Sequence, residues 1–102
     1  MAFDGTYLWV TNYGNTTVAR YDPATSTTNY YSTLALPLGI AFDGSHMWVA
    51  NNGTGIVSKF DATNGNRTDY LTGGNPYGIA FDGTNVWVTN QGSDTVSKIY
   101  HG

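Results

Sequence analysis

The side chains here that could move a proton or hold a metal are few: His46, His101 and seven aspartates, with no glutamate and no cysteine. Three of the aspartates, Asp4, Asp43 and Asp82, recur every 39 residues. A ring of carboxylates at regular spacing would suit Ca²⁺ or Mg²⁺. Each, however, is followed by glycine, and Asp-Gly supplies the side-chain acceptor and the positive-φ residue of a tight turn. Successive copies of one structural unit also hold the three carboxylates apart. Turn formation accounts for them without a metal. It also accounts for Asp22 and Asp61, which precede a second turn-rich stretch, while Asp69 and Asp94 are unrepeated. His46 falls in the turn after Asp43, where its counterparts are Tyr7 and Asn85, and His101 lies near the last residue. A histidine in a turn is more commonly a solvated surface group than a base. No Ser-His-Asp arrangement and no phosphate-cradling glycine loop is visible. These residues predict no catalytic group, no metal site and no cofactor.

Amides offer a different chemistry. Asn12, Asn51 and Asn90 also recur every 39 residues, each followed by an unlike polar neighbour: Tyr13, Asn52 and Gln91. Carboxamides present paired donors and acceptors, and a nearby aromatic ring such as Tyr77 adds a stacking plane. Together they suit a carbohydrate or another small polar ligand. The competing reading is that the three aligned asparagines cap a turn through Asx bonds. On that reading Tyr13, Asn52 and Gln91 are the stronger binding candidates.

The elements that would position these residues follow from the repeat. Ala-Phe-Asp-Gly, two variable residues, an apolar residue, Trp-Val, Thr or Ala, and Asn occur at Ala2 to Asn12, Ala41 to Asn51 and Ala80 to Asn90. Few cations, many Thr, Asn, Gly, Tyr and Val and an absence of Glu disfavour helices and suit strands with tight turns. The copies superpose as four segments. A short apolar one ends at Asp-Gly, as in Ile40 to Asp43. A second, such as His46 to Ala50, is apolar on both alternating faces and so predicts a strand covered on both sides. A third, such as Val57 to Phe60, alternates bulky with small or cationic residues. A fourth, roughly Thr28 to Thr33 and Arg67 to Thr72, is polar enough for an outer edge. The third copy stops before its fourth segment.

Units of four strands repeating at about 40 residues, with no helix between them, are the mark of β-propeller blades. The expected architecture is all-β, with blades over 1–39, 40–78 and 79–102. The runs Pro-x-Gly-Ile-Ala-Phe-Asp-Gly, Trp-Val-Thr-Asn and Val-Ser-Lys-Phe-Asp resemble the blades of the YVTN and NHL group of propellers, which includes virginiamycin B lyase-like proteins. The resemblance implies ligand binding on the face that carries Asn12, Tyr13, Asn51, Asn52, Tyr77, Asn90 and Gln91. It also implies, for the enzymes of the group, a His base and a magnesium ion held with carboxylate help. Both histidines of this chain are expected on the opposite face or in a frayed end.

Three blades leave two apolar faces uncovered. At several hundred Å² each, this forfeits on the order of 10 kcal/mol at ~25 cal/mol per Å², comparable to a whole domain's stability. The expected partner is a second copy, giving a homodimer that closes a six-bladed ring, since rings run from about four to eight blades. A net charge of −3 with four cations gives no footprint for nucleic acid, and nothing resembles a membrane span or a basic amphipathic helix. The first residues already belong to the repeat, so the address of a secreted or cell-surface parent would lie outside them. The boundaries read as a fragment or an engineered piece, with a short natural gene as the other reading. Two functions remain in play: a non-catalytic self-assembling scaffold, and a lyase-like or lactonase-like enzyme.

Overall fold

In each copy, the Asp-Gly pair reverses the chain so that two apolar runs can pair. Gly5, Gly44 and Gly83 take φ of 97°, 104° and 101°, the left-handed region that side chains resist. The carboxylate before each accepts from the backbone N–H groups two and three residues on, at 2.6 to 2.9 Å. The computed structural model describes residues 1–14, 16–62 and 65–100. His101, Gly102 and part of the turn after Asp61 lie outside the described residues.

Among the described residues there are eleven strands and no helix, arranged as three antiparallel sheets. The first sheet is β1 (Ala2–Phe3), β2 (Leu8–Asn12), β3 (Thr17–Asp22) and β4 (Thr27–Ser32), in that spatial order. The second is β5 (Pro37–Phe42), β6 (His46–Asn51), β7 (Ile56–Asp61) and β8 (Arg67–Leu71). The third has β9 (Pro76–Phe81), β10 (Asn85–Asn90) and β11 (Thr95–Tyr100). Every strand pairs with its sequence neighbour, the simplest connection available.

Two details differ from the sequence expectation. The first strand of the second and third copies begins at Pro37 and Pro76, three residues before the apolar run. A bulge between Pro37 and Ile40, and its equivalent opposite Val88 and Asn90, accommodates the extra residues. The second concerns the next turn, which the Asn and Gly of Asn12-Tyr-Gly14, Asn51-Asn-Gly53 and Asn90-Gln-Gly92 favour by residue type, but whose left-handed positions are Thr16, Gly55 and Asp94, at φ 53°, 74° and 54°. Gly53 serves another purpose there, since a Cβ on it would sit 3.0 Å from the Ala35 side chain.

Side-chain parity explains why β6 is apolar from Met47 to Ala50. Met47 and Val49, with Phe60 of the adjoining β7, face the first sheet and pack with Trp9 and Val18. Trp48 and Ala50, with Val57 of β7, face the third and pack with Val86 and Val88. The sheets thus form three layers with two cores between them. Where β5 and β9 run side by side, Gly39 is needed: a Cβ would collide with the Tyr77 carbonyl oxygen and crowd the Ile79 nitrogen at 3.2 Å.

Candidate functional site

The two ends of the sheets are built differently. At one end lie the turns after the short first strands. Each aspartate there uses its second oxygen to accept from the indole Nε1–H five residues on: Asp4 from Trp9 at 2.8 Å, Asp43 from Trp48 at 2.6 Å and Asp82 from Trp87 at 2.7 Å. The carboxylates are occupied as turn-and-tryptophan clamps. At Asp82 the Asn85 N–H, then the Trp87 indole and the Thr84 N–H, hold the carboxyl down at about 2.

His46 belongs to this end. Its Nδ1 is 3.0 Å from Ser45 Oγ and 4.0 Å from Asp43 Oδ1. A nucleophile relay needs serine and carboxylate on opposite ring nitrogens, and here both meet the same one. A cavity of about 470 Å³ between the first two sheets is lined here by Asp4, Tyr7, Ser45, His46 and Asp61, among others. Beside Tyr7, the guanidinium of buried Arg20 stacks 4.2 Å from the ring centroid and donates to the Ala62 carbonyl at 3.1 Å.

The other end carries the amides. Asn51 is fully buried, and its Nδ2 donates to the Ile56 carbonyl at 3.1 Å and Ser58 Oγ at 2.9 Å, while its Oδ1 accepts from the Leu34 N–H at 3.2 Å. Asn90 donates to Thr95 Oγ1 and Ser97 Oγ at 3.3 and 2.8 Å, and Asn12 to Thr17 Oγ1 at 3.1 Å. These asparagines hold the hairpin by reaching across to the next strand, a different geometry from an Asx cap. The Oδ1 of Asn90 is buried without a partner. Asn52 joins the second sheet to the third, donating to the Pro76 carbonyl at 3.3 Å and accepting from Asn75 at 3.0 Å.

Of the candidates named from sequence, the structure gathers Tyr77, Asn90 and Gln91 around one open cleft of about 370 Å³, with Thr89, Asp94 and Val96 also lining it. Asn12 and Tyr13 stand at the end of the first sheet and Asn51 and Asn52 at the end of the second. Tyr13 and Tyr77 are exposed, and Gln91 is exposed beside its backbone bond to Asn75. The cleft has an aromatic ring, amides and an apolar wall, a set suited to neutral polar ligands.

This fold recurs in solved structures. The fold is similar to that of a hydrazine synthase from Kuenenia stuttgartiensis, with a TM-score of 0.73 and 22% identity over 97% of this chain and 34% of that one. It is similar to a streptogramin B lyase, at 0.75 and 21% over 97% and 38%. It also resembles a 6-phosphogluconolactonase candidate from Bacteroides fragilis, at 0.63 and 20% over 97% and 36%. These sheets are β-propeller blades. The chain spans about a third of the length of each of these structures. No protein-family model and no curated protein matches the sequence.

As blades, the sheets expose what their repeat mates bury. Trp9 and Trp48 are 0% and 1% exposed, and Trp87 is 40% exposed. Val18 and Val57 are fully buried, and Val96 is 61% exposed. The Asp–Trp clamp, the cross-strand Asn bonds and the cation stacked on each tryptophan were not read from the sequence. An Asp and a Trp five positions apart in every copy was the available signal for the first. The regular cation two residues after the Val of each third strand was the signal for the last.

Proposed function

We propose that this chain is a non-catalytic assembly unit: a second copy covers both end faces, the pair forms a six-bladed ring, and the amide-lined end receives a small polar ligand. The observation behind this reading is the match between the outer faces and the inner ones. Inside the chain, the face holding Trp9 and Val18 is met by Phe42, Met47 and Val49 of the next blade. In the same way, the face holding Trp48 and Val57 is met by Phe81, Val86 and Val88. The uncovered face holding Trp87 and Val96 wants the same partners, and the uncovered face of the first blade carries their counterparts, Phe3, Leu8 and Val10. Head-to-tail contacts of this kind close when the rotation per unit divides the circle.

The lyase-like or lactonase-like alternative draws on fold neighbours alone, and fold is weak support for chemistry. Among the described residues no three His, Cys, Asp or Glu side chains group as metal ligands. The carboxylates of the repeat are taken up by turn amides and indoles. Size-exclusion chromatography with light scattering tests the assembly: the expected mass is twice the 11.0 kDa of one chain, and a single-chain mass at micromolar concentration would overturn it.

A further inference from the structure

The cavity between the first two sheets lies at the aspartate end, away from the amides, and both of its walls belong to one chain. The first sheet contributes Asp4, Thr6 and Tyr7 from the turn between β1 and β2. The second contributes Ser45 and His46, where β5 turns into β6, and Asp61 at the end of β7. Its volume of about 470 Å³ falls within the ~300–1,000 Å³ of small-molecule sites. The fold explains this lining in part. Asp-Gly and Trp recur in every copy, whereas the pairing of Tyr7 with His46 occurs once, because the same positions of the second and third sheets hold His46 and Asn85.

The walls are held before any ligand arrives. Asp4 fixes one turn through the Thr6 and Tyr7 N–H groups at 2.8 and 2.6 Å, and Asp43 fixes the other through those of Ser45 and His46 at 2.9 and 2.7 Å. Buried Arg20 spans the two sheets: its guanidinium stacks on the Tyr7 ring at 4.2 Å and donates to the Ala62 carbonyl at 3.1 Å. Ala62 in turn donates its N–H to the Ser45 carbonyl at 3.4 Å. A site fixed in this way loses little to ordering when it binds.

Charge selects among ligands. Asp4 and Asp61 oppose an anion, and the tyrosine ring that a cation would seek already carries the Arg20 guanidinium. Hydrogen bonding remains. Thr6, Tyr7 and Ser45 bring hydroxyls, and His46 is bonded through Nδ1, which leaves Nε2 to meet a ligand. Asp4 accepts three bonds, and a carboxylate has ~four acceptor positions. Phe42 adds an apolar wall. Groups that both give and accept, beside ring carbon, complement a polyol. We propose that this cavity binds a neutral sugar, whose hydroxyls bridge the Thr6–Tyr7 turn to Ser45 and His46. The site is separate from the amide end and does not rest on ring closure.

The probes are the methyl glycosides of glucose, galactose, mannose and N-acetylglucosamine, titrated into the intact chain at constant pH. The readout is the amide resonances of Thr6, Ser45 and His46. At least one glycoside should shift these saturably with a Kd below ~20 mM. His46→Asn introduces the residue that the third copy carries at this place, so the turn is kept. It should weaken that binding by about three- to tenfold, the range of one hydrogen bond. Thr6→Ala, at an exposed position, should act in the same direction. Any of four results would overturn the proposal: no glycoside with a Kd below ~20 mM, undiminished binding by both variants, tighter binding of propylammonium or acetate than of every glycoside, or sugar-induced shifts at Gln91 in place of these three amides.

Discussion

The second and third blades carry nearly the same residues at one offset and differ in what covers them. Trp48 and Trp87 make the same bond to the aspartate five residues before them, at 2.6 and 2.7 Å, and each has a lysine over its ring. Yet Trp48 is 1% exposed and Trp87 is 40% exposed. The hairpin and its clamp therefore come from local sequence, whereas burial comes from a neighbouring blade and a fourth strand. A repeat can be locally complete and still lack most of the apolar contacts that stabilise its mate.

Truncating the two tryptophans gives the largest separation between these contributions. Trp48→Ala should destabilise the chain by about 3–5 kcal/mol, the usual cost of emptying a large core site. Trp87→Ala should cost roughly 1 kcal/mol, because much of its ring is already in water. Urea unfolding at low protein concentration measures both. Equal costs would break the comparison, and a Trp87→Ala cost that grows with protein concentration would sharpen it by showing that a second copy covers the ring.

The parts of the molecule that were legible are those governed by period and parity. The three copies of Ala-Phe-Asp-Gly and Trp-Val placed the hairpins, and the two-sided apolar run at His46 to Ala50 announced a strand between two layers. Other features resisted because they depend on atoms meeting across strands. Thr28 to Thr33 and Arg67 to Thr72 read as polar edges, yet Tyr31 and Tyr70 turn inward onto the tryptophans, a contact set by register. Arg20 reads only as a cationic position in an alternating strand, and its guanidinium is buried among Tyr7, Trp9 and Tyr31. At the amide end, residue type suggested a common role for three asparagines. Packing divides them: Asn51 is satisfied at both ends of its carboxamide, and Asn90 keeps a buried oxygen without a partner.

A smaller separation is expected at the glycines before the Ile-Ala-Phe runs. At Gly39 a Cβ meets the backbone of the next blade, which cannot move aside without parting β5 from β9. Gly39→Ala should therefore cost about 1–3 kcal/mol, the range for forced overpacking. At Gly78 the nearest atom to a Cβ is the Thr89 hydroxyl of its own sheet at 3.1 Å, so Gly78→Ala should change stability by less than about 1 kcal/mol. Thermal melts of the two variants check this order.

The smallest effect concerns acid. Asp82 keeps its carboxyl charged down to about 2 through the Asn85 N–H first, then the Trp87 indole and the Thr84 N–H. A depressed carboxyl stabilises the fold above its unfolded value of about 4, and that contribution is lost as pH falls from there through 2. The site is fully exposed, so the loss in global stability should be slight, and the local signal is the better reporter. The Trp87 indole N–H resonance should shift with a midpoint near pH 2, and Asp82→Asn should abolish that titration. Because Trp87 has no blade over it, a midpoint at the ordinary carboxylate value would mean that the clamp needs a covering neighbour. A midpoint near 2 would show that turn and tryptophan lock together within a single blade before any second one packs against it.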